Sequence, residues 1–174
     1  MLLLSKRPLV ARKAASAEGT LCEGGIALLS PSLEDYLEEI YRISARGETV
    51  RVTDIAACLG VRLPSVTRAL QKLAADGYIR YRPYKDIKLT EKGECLGSFL
   101  VERNRIIQGF LSLIGSKCDV VAEAEAIEHY LSLPTLTAII KFVQFTELYP
   151  TWLERYNLFC AEEETKDRVT LTPV

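Results

Sequence analysis

A chain of 174 residues with 48% apolar side chains, 26% charged ones and a formal net charge of −1 holds enough apolar material for one domain or two small ones, and reads as a soluble globular protein. No stretch approaches the roughly 18 apolar residues that a membrane span needs, and the leading MLLLSKRPLVARKAA is broken by charge too early for a secretory signal, so the cytoplasm is the expected location. The five cysteines, at 22, 58, 95, 118 and 160, have no CxxC spacing, which argues against a disulfide framework or a zinc knuckle and makes Cys58 and Cys95 small core residues of helices.

Residues 1–29 mix basic residues with Gly, Ala and Ser without a sustained period and read as a flexible arm. Lys6, Arg7, Arg12 and Lys13 are available there to phosphates, although a tail without a role is the plainer reading. Order begins at Pro31. The run SLEDYLEEIYRISARG, from Ser32, sets Leu33, Tyr36, Leu37, Ile40 and Tyr41 on one face and closes at Gly47, an amphipathic helix. Glu34 and Asp35 complement its positive start.

The stretch Val50 to Leu89 carries the start, stop and turn signals of a winged helix-turn-helix. A short helix has Thr53 as its cap, Ile55, Ala56 and Leu59 as its apolar stripe and Gly60 as its stop. A second opens on Pro64 and Ser65, turns Val66, Leu70 and Leu73 inward and ends at Asp76 and Gly77, leaving Ser65, Thr67, Arg68, Gln71 and Lys72 outward. Tyr78 to Tyr81 and Ile87 to Leu89 alternate as the two arms of a hairpin, the wing. Between Arg51 and Thr90 stand eight basic and three acidic residues, an excess of five in a chain of net charge −1. A charge cluster alone is commonly a solvated face, but two short helices with a basic hairpin behind them point to double-stranded DNA. Arg62, Ser65, Arg68 and Gln71 are the candidates for base edges, and Thr67, Lys72, Arg80, Tyr84 and Lys85 for phosphates.

Thr90 then caps a helix of about 24 residues, roughly 36 Å long, with Leu96, Phe99, Leu100, Ile106, Ile107, Phe110 and Leu113 on its apolar face and Gly115 as its stop. This length suits a connector between a reading head and a sensor. Further helices are expected from Asp119 to Leu131, from Pro134 to about Phe145 and from Thr151 to about Glu164. Their Leu136, Ile139, Ile140, Val143, Phe145, Trp152, Leu153, Tyr156, Leu158 and Phe159 exceed what a small core needs, which points to a homodimer and hence to a palindromic operator.

Within EAEAIEHYLS, Glu125, Glu128 and His129 fall at i, i+3 and i+4, on one helix face. Asp35 and Glu38 are related in the same way. Two Glu and a His on a helix are most often a solvated face. Brought together, the two sets would offer carboxylates and one imidazole to a hard divalent ion, Mn(II) before Fe(II), with Zn(II) disfavoured by the lack of thiolates.

PSLEDYLEEIYRI, VRVTDIAACLGV, PSVTRALQKLAADGYIRYRPYKDIKLTEKGE and EAIEHYLS resemble the DtxR/MntR family of metal-dependent transcriptional repressors, and most its short manganese-transport-regulator branch, from Pro31 to about Phe159. The resemblance implies a mainly α protein, a winged helix-turn-helix DNA-binding domain at 30–96 followed by an all-helical metal-sensing and dimerisation domain at 97–174, acting as a metal-activated repressor of metal-uptake genes. It also implies that Asp35, Glu38, Glu125, Glu128 and His129 are metal ligands. The family's histidine on the long helix falls at Asn104. In the manganese branch that histidine serves one ion of two, the other being held by the matches of Glu38, Glu125, Glu128 and His129. A neutral amide oxygen ligates a hard cation more weakly than imidazole, so the second of these ions is the one expected to persist.

Three rivals remain at this stage. The metal site has decayed and the chain binds DNA constitutively or senses another signal; the winged helix serves only protein contacts; or Glu125, Glu128 and His129 hold a hydrolytic metal. The last is opposed by a single histidine and by the absence of a P-loop or a G-x-S-x-G motif.

Overall fold

The computed structural model describes residues 29–82 and 86–170, with side chains described as far as residue 162 apart from those gaps. The arm expected at 1–29, all but its last residue, and the phosphate candidates Tyr84 and Lys85 lie outside the described residues. The chain divides into two compact units, which meet in sequence between Arg105 and Ile106.

The head unit opens with α1, Pro31–Ala45, which has proline in its first turn, where no intrahelical N–H bond is needed. Next come α2, Val52–Cys58, and α3, Leu63–Ala75. Strands β1, Ile79–Arg80, and β2, Lys88–Leu89, pair antiparallel with Ile79 opposite Leu89 and Arg80 opposite Lys88. Val50 adds an antiparallel bridge to Ile87, so the chain two residues ahead of α2 tethers the wing, a pairing that no local signal in the sequence announces. Helix α4, Glu91–Leu113, begins in the head unit and ends in the second unit.

Leu33, Tyr36, Leu37, Ile40 and Ile43 of α1 meet Ile55, Val66, Leu70, Leu73, Ile79 and Leu100 in one core. Each such aliphatic side chain taken fully out of water contributes about 1.5–3 kcal/mol. The face of α1 is rotated slightly from the expected one, because Ile43 is buried and Tyr41 only half-buried. Thr53 is not the cap of α2. Arg51 holds that position without a side-chain bond, and the Thr53 hydroxyl donates to Asp54 inside the first turn instead. Cys58 is exposed, not core, since α2 ends there and the last residue of so short a helix has no inward turn to join. A hydrogen bond to Glu39 holds its thiol above the ordinary cysteine range.

The joint between α3 and the wing root is closed by the start of α4. Gly77, at φ 78°, turns the chain out of α3 in a conformation open chiefly to glycine. The Thr90 hydroxyl lies within hydrogen-bond distance of the carbonyls of Gly77 (2.7 Å) and Tyr78 (3.0 Å) and accepts from the Gly93 N–H at 3.1 Å, so Thr90 caps α4 as expected and clasps the wing root as well. Lys92 donates to the Asp76 carbonyl at 2.9 Å, with its ammonium 4.1 Å from the centre of the Tyr78 ring. The approach is close enough that a Cβ on Gly93 would stand 1.9 Å from the Tyr78 carbonyl oxygen, and one on Gly97 2.7 Å from the Cβ of Tyr41.

The second unit contains the end of α4, then α5, Val120–Glu128, α6, Leu133–Leu148, and α7, Pro150–Thr170. Asp119 caps α5 by accepting from Val121 and Ala122, and Ser132 caps α6. Helix α5 stops three residues short of the expected Leu131, and α6 runs three past Phe145. Val143 is buried against Phe110, Ile139 and Ile140, and the Tyr156 hydroxyl donates to the Ile114 carbonyl at 3.0 Å. Among the described residues no helix is long and apolar enough to cross a membrane.

Candidate nucleic-acid interface and metal centre

On α3 the apolar positions Val66, Ala69, Leu70 and Leu73 face the core, and the intervening Ser65, Arg68, Gln71 and Lys72 are thereby turned to water, with Arg62 exposed at the helix start. Thr67 is half-buried, and its hydroxyl donates back to the Leu63 carbonyl at 3.1 Å, which leaves its oxygen able to accept but its proton committed. In chemistry these side chains suit a major groove: guanidinium and amide groups are able to pair with base edges, and an ammonium such as that of Lys72 with phosphate.

The wing supplies a second set. Arg80 and Lys88 are exposed and directly opposite each other across the β1–β2 ladder. Like charges so placed destabilise a hairpin by a few tenths of a kcal/mol or more unless an anion lies between them. The register therefore adds Lys88 to the phosphate candidates. The sequence reading counted its charge but did not single it out, because the partner across the ladder is fixed only once the hairpin register is known.

The acids of α1 have distinct environments. Glu34, 8% exposed, forms an ion pair at 2.9 Å with Arg103, also 8% exposed, 69 residues further on in α4. Its part is thus more than a complement to the helix start. Asp35 is half-buried. Glu38 is buried and forms an ion pair with Arg42 one turn along α1. Asn104 is buried on α4, next to Arg103.

In the second unit Glu125 is exposed, Glu128 is 1% exposed as the last residue of α5, and His129 caps that helix with its Nε2 3.6 Å from a Glu128 carboxylate oxygen. The three residues expected to share one face therefore differ sharply in access to water. A carboxylate withdrawn so far from solvent beside an imidazole fits a hard or borderline divalent cation, which would offset a desolvation cost of several kcal/mol.

Residues 28–87 match the family described as "Iron dependent repressor, N-terminal DNA binding domain", and residues 90–154 that described as "Iron dependent repressor, metal binding and dimerisation domain". The chain is 42% identical over 122 residues to the HTH-type transcriptional regulator MntR of Lysinibacillus sphaericus (strain C3-41), a match covering 70% of this chain and 88% of that one. It is 41% identical over 138 residues to the protein of that name in Listeria welshimeri, covering 79% of this chain and 95% of the relative. Among solved structures, the manganese regulator SloR superposes with a TM-score of 0.59 at 30% identity, covering 67% of this chain; the match spans 55% of the SloR chain.

Proposed function

The chain belongs to the iron dependent repressor family, and from that footing we propose that it is a manganese-activated repressor that binds a palindromic operator as a homodimer and controls metal-uptake genes in the cytoplasm. The observation that carries this reading is the placement of the only histidine of the chain 3.6 Å from Glu128, a carboxylate kept out of water. An oxygen-rich donor set with one imidazole favours Mn(II), and Fe(II) after it.

Asp35 and Glu38 of the head unit and Glu125, Glu128 and His129 of the second unit would hold the ion, which supplies positive charge to offset their repulsion. Ligands drawn from both units restrict how far each of the two heads of a dimer can swing, and heads held at a fixed spacing lose less freedom on meeting two half-sites. Ion and operator must then favour each other equally. Arg62, Ser65, Arg68 and Gln71 take the base edges, and Thr67, Lys72, Arg80 and Lys88 the phosphates, with Tyr84 and Lys85, outside the described residues, as further phosphate candidates.

Asn104 in place of an imidazole leaves one ion tightly bound per subunit. Calorimetric titration of the metal-free chain with Mn(II) tests this: two equally tight ions would contradict it. A gel shift on the promoter region of the chain's own gene, with Mn(II), Fe(II), Zn(II) or a chelator, tests the whole reading. Retention that needs Mn(II) supports it. Equal retention in chelator supports instead a reader whose metal site has decayed, of which Asn104 would be the mark.

A further inference from the structure

Two acids on α1 each have an arginine partner, but the two arginines differ in their freedom to leave. Arg103, opposite Glu34, is as buried as the carboxylate it meets, with side-chain exposures of 9% and 10%. Withdrawing it would strand a charge in a low-dielectric place, so this pair is a permanent part of the head. Arg42, opposite Glu38, is different: the carboxylate side chain is 9% exposed, whereas the arginine side chain is 44% exposed and reaches it from the solvent side. A guanidinium on a flexible stem at that exposure can turn outward into water at little cost, because a half-exposed pair one helix turn apart is weak.

We propose that Arg42 is a built-in counter-ion of Glu38 that a divalent cation has to displace, so that Arg42 sets the metal concentration at which the site fills. This rests on the reading of Glu38 as a ligand. Without metal, Arg42 relieves the charge of a buried carboxylate on a helix where Glu34, Asp35, Glu38 and Glu39 are crowded within two turns. With metal, the same guanidinium is a like charge beside the ion. Either it leaves, and the cation must outcompete it, or it stays on one carboxylate oxygen and repels the cation bound to the other. Both routes weaken cation binding, and neither alters the face that meets DNA. Arg103 cannot act in this way, since its carboxylate is not among the proposed ligands and its burial fixes it.

The test is calorimetric titration of the metal-free full chain with Mn(II), comparing the unaltered protein with Arg42→Gln and Glu38→Gln, alongside the Mn(II) midpoint for operator binding. Arg42→Gln keeps a hydrogen-bond donor but removes the charge. It is expected to tighten Mn(II) about two- to five-fold, given how strongly exposure screens the interaction, and to lower the operator midpoint by the same factor, with operator affinity at saturating Mn(II) unchanged. Loss of a merely structural contact would not tighten metal binding. Unchanged or weaker Mn(II) binding by Arg42→Gln, while Glu38→Gln binds weakly, would overturn the role of Arg42 and leave the ligand reading standing. Unimpaired Mn(II) binding by Glu38→Gln would overturn the ligand reading itself, and the proposal with it.

Discussion

In the head unit, Leu63 at 48% exposure is the one large apolar side chain left open among the described residues, whereas in the second unit Tyr130, Leu148, Tyr149, Trp152, Leu158 and Phe159 are all more than half exposed. Phe145 stacks obliquely on Tyr149 and Trp152, with ring centres 4.9 and 5.9 Å away, so these three form one aromatic cluster among the open residues. The head thus completes its own core and spends its outer face on charge. The second unit leaves aromatic surface uncovered, as a unit does whose stable form needs another surface upon it, in keeping with a match to a dimerisation domain. One half of the chain is a finished reader, and the other is finished by association.

This contrast can be broken from either side. The largest effect is expected from Arg103→Met, which removes the buried ion-pair partner of the Glu34 carboxylate in the head. Urea denaturation of the metal-free protein should show a loss of about 3–5 kcal/mol, and a loss below about 1 kcal/mol would mean that other groups carry Glu34. Gly93→Ala drives a methyl group into the Tyr78 carbonyl and should lower stability by about 2–3 kcal/mol in the same assay; no change would show that α4 can shift from the wing root freely. On the other side, Trp152→Ala should weaken self-association by about 2 kcal/mol, read by sedimentation equilibrium, while the head keeps its fold. An unchanged dimer would move the interface away from this surface. Arg68→Ala should weaken operator binding by roughly 1–3 kcal/mol without altering stability, and unchanged affinity would remove Arg68 from the base-reading set.

The head was the more legible half in the sequence for the same reason that it is self-sufficient. Its helix stops at Gly60 and Gly77 are written in residues that favour the left-handed turn, and both have positive φ, 62° and 78°. Its helices repeat apolar residues at the spacing of a buried face, so α3 fell within a residue of its expected limits. What stayed hidden depends on partners remote in sequence. Nothing local distinguishes Glu34, which is buried on Arg103, from the neighbouring acids, and nothing near Val50 announces its bridge to Ile87. The Thr53 cap failed because a favourable residue type competes with where the preceding chain places the first turn, and here the helix began two residues earlier. In the second unit the apolar residues are too numerous to show one face. Leu111 is buried where Leu113 was expected, and the limits of α5, α6 and α7 all shifted. Of the proposed metal ligands, residue type and spacing were readable, but the near-complete burial of Glu128 beside an exposed Glu125 was not, since burial belongs to the packed chain.

The proposal that ligands from both units share one cation is tested most directly by the Mn(II) binding isotherm of Asp35→Asn set beside that of Glu128→Gln. Both variants are expected to lose the tight ion, although one is altered in the head and the other in the second unit. If Asp35→Asn bound Mn(II) as the unaltered chain does while Glu128→Gln did not, the ion would belong to the second unit alone, and metal could not govern the head in the way described.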